Sequence, residues 1–371
     1  MNSGQIQHIF FAGGGTGGHL YPALAVAERI QEQYPNTEIT FFCSPREVDA
    51  KILSPSRFNF LPLPAVGLSK SPLQAIRFFG QFLKSYYFTK EILRPVRSEA
   101  AVVGTGGFVC APAAAAARSL HIPIFLINVD SVPGKSNRLT ARFARRIFVQ
   151  FEQTRNCFGR FSERVDVVGC PLRKDFFAPP ENIHKAYDLD PNKKILLITG
   201  ASSGSMSINQ AVLEILPSLE RFAADWQVVH LTGMAHYQWV RTQAGNPAVL
   251  YRAIDYCHQM PALLKASSLV VGRAGAVSIA EYATAGVPAV CLPYPYHKDR
   301  HQFLNAKPLA DAGGAIIIED DIRQPSRTRQ ALSQTLTDLM SSPQKLARMA
   351  AAAKTLGRTD AAERIVRCLF E

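Results

Sequence analysis

No stretch of the 371-residue chain reaches the roughly 18 consecutive apolar residues that a spanning helix needs. The N-terminus also lacks a basic segment followed by an apolar run and a cleavage site, so the chain is expected to stay in the cytoplasm. Cysteines are few and scattered: Cys43, Cys110, Cys157, Cys170, Cys257, Cys291 and Cys368 form no CxxC pair and no His/Cys cluster at metal-ligand spacing. They predict reduced, mostly buried thiols. Acidic residues are outnumbered, 29 against 41 Lys and Arg, for a net charge of +12. That excess calls for an anionic partner: nucleic acid, an acidic membrane surface or a phosphorylated substrate. Neither a zinc finger, an RRM signature nor a recognition helix is present, and aromatics are not interleaved with basic residues, so nucleic acid is not expected.

What is present is the composition of a soluble globular protein, 47% hydrophobic and 19% charged, over a length that suits two domains. Short apolar runs, "IQHIFFAG", "EITFFC", "AAVVGTGG", "IPIFLINV" and "RIFVQF", alternate with helical patterns in the first half. "KKILLITG", "WQVVHLTG", "AVLYRAI", "SLVVGRAG", "PAVCLPYP" and "GAIIIED" repeat that grammar in the second. The pattern predicts an α/β protein with two Rossmann-like, doubly wound parallel-sheet domains facing a central cleft. Gly169, Pro171, Pro179 and Pro180 interrupt both periodicities. The domains are therefore expected at 1–168 and 169–351, with a helix over 352–371 packing back on the first.

Ligands on such sheets bind beyond the carboxyl ends of the strands, so the loops there carry the candidate chemistry. Gly13, Gly15 and Gly18 satisfy G-x-G-x-x-G after a strand and before a helix. A nicotinamide site would add an acid at the tip of the second strand, where "FFCSPRE" offers Cys43 and Ser44. A phosphate cradle of another kind and a tight turn remain open. A second glycine turn, Thr105-Gly106-Gly107, offers further amides and a helix N-terminus on the acceptor side. His19 stands at a helix start, as a general base or a packing residue. In the second half Ser202, Ser203 and Ser205 surround Gly204 before a helix, as phosphate contacts or caps. Arg273 and Gly275 precede a helix carrying Ala276, Val277, Ser278, Ile279, Ala280 and Glu281, which fits a nucleotide: amides for phosphate, the carboxylate for ribose. Gln302 and Asn305 share a helical face for sugar hydroxyls. The acids Asp188 to Asp190 and Glu319 to Asp321 read as solvated, and no divalent cation is called for.

Taken in order, "GGGTGGHLYPALAVAERI", "GTGGFVCAPA", "SVPGKSNRLTARFA", "GCPLR", "TGASSGSMSINQ", "GRAGAVSIAEYATAGVPAVCLPYP" and "HKDRHQFLNAKPL" resemble the MurG family. Its members move N-acetylglucosamine from UDP onto undecaprenyl-pyrophosphoryl-MurNAc-pentapeptide, lipid I to lipid II, in peptidoglycan synthesis. The resemblance implies a GT-B fold and an inverting reaction with no metal or other cofactor. It also implies a peripheral place on the cytoplasmic face of the bacterial inner membrane. By motif it implies that Thr16, Gly17 and Gly18 line the donor sugar and acceptor side, that Arg173 and Ser202 hold the donor, and that Cys257 reads uracil through backbone atoms. Ala276 to Ser278 would face the diphosphate, Glu281 the ribose, and Gln302 with Asn305 the GlcNAc. Family members commonly show His-Glu-Gln-Asn where this chain has Ile127 to Asp130, so Asp130 replaces an asparagine of the site. That departure motivates two alternatives: a GT-B enzyme with a different lipid acceptor, or a UDP-sugar-binding protein that has drifted from catalysis.

His19 is the expected base, with Asp130 second. "LSKSPLQAIRFFGQFLKSYYF" spaces Leu73, Ile76, Phe79, Phe82, Leu83 and Tyr86 helically among Lys70, Arg77 and Lys84, as either an interfacial helix or a core-facing one. Lys135, Arg138, Arg142, Arg145 and Arg146 would add attraction to anionic lipid.

Overall fold

The apolar runs fold as buried parallel strands in a computed structural model that describes residues 6–67, 72–178, 182–201 and 204–371. The chain divides into two compact units, Met1–Lys174 with Thr359–Glu371, and Asp175–Arg358. Pro179 and Pro180 lie outside the described residues.

The first unit contains β1 (His8–Gly13), α1 (Gly17–Gln33), β2 (Glu38–Cys43), α2 (Glu47–Leu53), β3 (Asn59–Pro62) and α3 (Pro72–Leu93). It continues with β4 (Ala100–Gly106), α4 (Cys110–Ser119), β5 (Ile124–Asn128), α5 (Lys135–Thr140), β6 (Arg146–Val149) and β7 (Val165–Val167). The strands form one parallel sheet in the order β3-β2-β1-β4-β5-β6-β7. Alternate side chains leave opposite faces, so Phe10 stacks on Phe42 at 5.4 Å on one side and Phe11 on Phe41 at 5.1 Å on the other. The edge strands β3 and β7 escape the sequence reading because neither has a long apolar run; β3 ends on Pro62, tolerable at an edge.

The second unit contains α6 (Ile183–Ala186), β8 (Lys194–Thr199), α7 (Met206–Leu219), β9 (Trp226–Leu231), α8 (Tyr237–Ala244), β10 (Leu250–Ile254), α9 (Met260–Ala266) and β11 (Ser267–Gly272). It ends with α10 (Ala276–Ala285), β12 (Ala289–Cys291), α11 (His301–Asp311), β13 (Ala315–Ile317), α12 (Pro325–Met340) and α13 (Pro343–Leu356). Its parallel sheet runs β10-β9-β8-β11-β12-β13. The chain then returns to the first unit as α14 (Ala361–Phe370). Ile365, Val366 and Leu369 are buried there, Arg29 Nε donates to Glu363 at 2.6 Å, and Tyr34 stacks on Phe370 at 3.7 Å.

Strand order reverses direction at β1/β4 in the first sheet and at β8/β11 in the second. Such switch points open a crevice beyond the strand ends. Both glycine turns of the first half and both motif loops of the second fall there.

Candidate functional site

At the first switch point the loop from Gly13 to Thr16 leads into α1, in whose first turn the His19 amide donates to Thr16 O at 3.2 Å. The loop is held by a residue the sequence reading missed. Asp49, fully buried in the first turn of α2, accepts from the Gly15 amide at 2.8 and 2.9 Å, and from Ser44 N and Oγ at 2.8 and 2.7 Å. An acid does serve this loop, but it arrives from the helix after the second strand and binds glycine backbone. Because its carboxylate occupies the Gly15 amide, that amide is not open to a phosphate. Arg46 Nη1 donates to Gly15 O at 3.2 Å. Close packing explains other glycines: a Cβ on Gly14 would collide with Asp49, and one on Gly107 (φ 79°) with the Gly14 carbonyl.

His19 is half-buried, and its Nδ1 lies 2.9 Å from Gly14 O. A carbonyl only accepts, so Nδ1 carries the proton and Nε2 of the neutral ring has the lone pair. Nε2 faces Gly106, where a Cβ would stand 2.8 Å away. Thr16 Oγ1 lies 3.4 Å from Nδ1, Thr16 and Gly18 are exposed, and Gly17 is half-buried. Arg173 lies in this unit, its guanidinium 4.7 Å over the Tyr21 ring.

After β5, the departure from the family pattern carries its own bonding. Buried Asn128 donates Nδ2 to Asp130 O at 2.7 Å and accepts Nδ2 of buried Asn137 at 2.9 Å. Asp130 is half-exposed.

At the second switch point, Ser202 and Ser203 lie outside the described residues. Beside them Ala201 takes φ 63°, a conformation rare outside glycine. Arg273 is turned into the unit. Nη1 donates to Asp320 Oδ2 at 2.9 Å and to the carbonyls of Leu292 and Pro293 at 2.9 and 3.3 Å. Nη2 donates to Ser205 Oγ at 2.7 Å and Ser207 Oγ at 2.8 Å, and Ser207 Oγ reaches Asp320 at 2.8 Å. One guanidinium thus joins the loops after β8, β11, β12 and β13. The Asp320 side chain is 9% exposed, which corrects its reading as a solvated acid; only the fold shows that the turn after β13 meets Arg273. Its neighbour Glu319 pairs with exposed Arg300, and Asp321 accepts from the Arg323 and Gln324 amides in the turn before α12.

The first turn of α10 follows, with Gly275 extended at its N-cap, Ala276 and Ile279 buried, and Val277, Ser278, Ala280 and Glu281 half-buried. Gln302 Oε1 accepts from Tyr294 N at 2.8 Å, and buried Asn305 donates to Ala274 O at 3.3 Å, so α11 is latched to the turn before α10. Cys257 is buried against the Tyr187 hydroxyl at 3.2 Å, and burial pushes its thiol pKa up. Behind the loop after β8, His230 Nε2 donates to Asn209 Oδ1 at 3.0 Å while Nδ1 accepts from Tyr251 at 2.7 Å. Asn209 donates to Thr232 O at 3.0 Å, the carbonyl against which Gly204 packs. Burial lowers the His230 pKa to about 3.

Among the described residues, no group of three or more His, Cys, Asp or Glu could hold a metal ion, and no helix is long and apolar enough to cross a membrane. On α3, buried Ser85 and Thr89 turn inward, while Ile76 (71% exposed), Phe79 (62%), Leu83 (50%) and Tyr87 (60%) turn outward. Of the predicted stripe, Ile76, Phe79 and Leu83 therefore face away from the core, whereas Phe82 and Tyr86 are half-buried and Tyr86 packs on the core; Lys70 and the side chain of Leu73 lie outside the described residues.

Two family descriptions match this chain: the glycosyltransferase family 28 N-terminal domain over residues 9–149 and the glycosyltransferase family 28 C-terminal domain over residues 195–365. The UDP-N-acetylglucosamine--N-acetylmuramyl-(pentapeptide) pyrophosphoryl-undecaprenol N-acetylglucosamine transferase of Bacillus pumilus is 32% identical, covering 98% of each chain. The enzyme of that name from Bacillus subtilis is also 32% identical, over 98% of this chain and 99% of its own. The crystal structure of Acinetobacter baumannii MurG superimposes with a TM-score of 0.75 at 27% identity, covering 98% of each chain.

Proposed function

The chain belongs to glycosyltransferase family 28, among the UDP-N-acetylglucosamine--N-acetylmuramyl-(pentapeptide) pyrophosphoryl-undecaprenol N-acetylglucosamine transferases, and from that premise we propose how its residues divide the reaction. The enzyme transfers GlcNAc from UDP-GlcNAc to the C4 hydroxyl of lipid-linked MurNAc-pentapeptide. Unit two takes the donor. Val277 and Ser278 offer first-turn amides to the diphosphate, Glu281 accepts the ribose hydroxyls, and Gln302 and Asn305 meet the sugar. Arg173, Ser202 and backbone at Cys257 complete donor binding, and Arg273 acts by holding the surrounding loops. Unit one takes the acceptor at Thr16 to His19, Gly106, Gly107 and Asp130.

His19 Nε2 takes the proton of the acceptor hydroxyl as that oxygen bonds to the anomeric carbon. The bond from this carbon to the β-phosphate oxygen breaks, and UDP leaves with the electron pair, inverting the α-linked donor to a β-1,4 product. Helix amides carry the charge developing on UDP. The observation that carries this reading is the pairing on α10 of first-turn amides with a carboxylate about one and a half turns on, in a chain alike over its full length to transferases of this substrate pair. The outward apolar stripe of α3, with exposed Leu139, Phe143, Arg142 and Arg145 beyond it, supports a peripheral seat on the anionic cytoplasmic face of the inner membrane.

Transfer of labelled GlcNAc to a lipid I analogue tests the reaction; turnover confined to another lipid would replace the acceptor, and UDP-GlcNAc binding with no turnover would leave a binding protein. His19→Ala is expected to lower kcat by about 10²–10⁴ at unchanged donor affinity, and full activity would remove it as base.

A further inference from the structure

We propose that Asp49 is the positioning residue for His19, acting through two links of glycine backbone. The inference rests on His19 being the base. The Asp49 carboxylate is fully buried and lies in the first turn of α2, where the helix terminus favours a negative charge. Its bonds to Gly15 N, Ser44 N and Ser44 Oγ fix the Gly14–Gly15 peptide. The Gly14 carbonyl on that peptide receives His19 Nδ1, and Gly107 packs on the same carbonyl. Asp49 therefore sets both the tautomer of His19 and the place of Nε2 beside Gly106. Arg46 Nη1 also bonds to this loop, donating to Gly15 O at 3.2 Å. In orienting a base by a buried carboxylate the arrangement resembles a catalytic dyad, but backbone carries the connection and the carboxylate never touches the ring.

Asp49→Asn keeps the shape. In either orientation its amide N–H meets a backbone N–H, that of Gly15 or those of Ser44 and Gly15, so the peptide must shift. A displacement on the order of 1 Å costs about 100-fold in rate. The expected result is kcat down about 100-fold with KM for UDP-GlcNAc unchanged. Nitrogen NMR of the His19 ring provides a readout independent of turnover. The wild-type ring is expected as the Nδ1–H tautomer. In Asp49→Asn it should become a mixture of the two tautomers, since Nδ1–H loses its fixed acceptor. A wild-type ring in the Nε2–H form overturns the proposal, even if the variant fails to fold. So does a folded Asp49→Asn protein with unaltered His19 resonances, or one whose kcat stays within threefold of wild type while the wild type turns over. If His19→Ala is fully active, the base reading fails while the NMR comparison still decides the positioning.

Discussion

Replacing Asp320 by alanine should unfold the second unit at lower temperature by an amount the structure sets. The carboxylate and the Arg273 guanidinium are 9% and 7% exposed, so removing one partner leaves a buried charge, at a cost of about 3–5 kcal/mol. Arg273 keeps two carbonyls and two serine hydroxyls as acceptors, which puts the loss near the lower limit, about 3 kcal/mol. A domain of this size shifts by roughly 2–4 °C for each kcal/mol, so the transition should fall by about 6–12 °C. The chain has two tryptophans, and Trp226 and Trp239 both lie in the second unit, so their emission follows that transition separately. The shift should persist in about 1 M salt, which screens exposed pairs far more than buried ones. A tryptophan transition within about 2 °C of wild type, or a shift abolished by salt, would refute the argument that Arg273 and Asp320 form a desolvated clasp.

Acid should weaken the second unit through His230, whose pKa is lowered to about 3 from 6.5: below 6.5 the unfolded chain binds a proton that the folded one refuses. Stability from this residue is present above 6.5 and is lost as pH falls below it, about 2 kcal/mol by pH 5; His230→Gln should flatten that dependence in chemical denaturation at several pH values. Glu281→Ala should weaken UDP binding by about 10–100-fold by calorimetry, the worth of hydrogen bonds to a charged acceptor, and unchanged affinity would remove the ribose assignment. Phe79→Ser with Leu83→Ser should reduce sedimentation with anionic vesicles at least tenfold while leaving the melting temperature within about 2 °C, because both side chains already face solvent.

Much of the proposed donor site is legible in sequence because the groups assigned to it are local. Gly275, the α10 amides and Glu281 lie on one continuous strand-turn-helix, and Gln302 and Asn305 are one turn apart on another. Arg273 was expected toward the ligand; its five hydrogen bonds within the unit depend on four loops meeting. Asp320 reads as one of three acids in a turn, and no local pattern distinguishes it from exposed Glu319. Asp49 is similar. A dinucleotide fingerprint directs attention to the tip of β2, whereas the carboxylate that serves the loop comes from the following helix and faces backward.

Local periodicity and glycine spacing by themselves determined the two parallel-sheet domains and the glycine loops at their switch points, because strand burial and strand-to-helix turns leave short-range signatures. Only tertiary structure decided that Ile76, Phe79 and Leu83 of α3 face outward while Tyr86 packs on the core, that the Gly15 amide is held by Asp49, and that Arg273 is a clasp. A side chain's partner depends on which distant strand ends the sheet order brings together, and periodicity along one segment does not record that order.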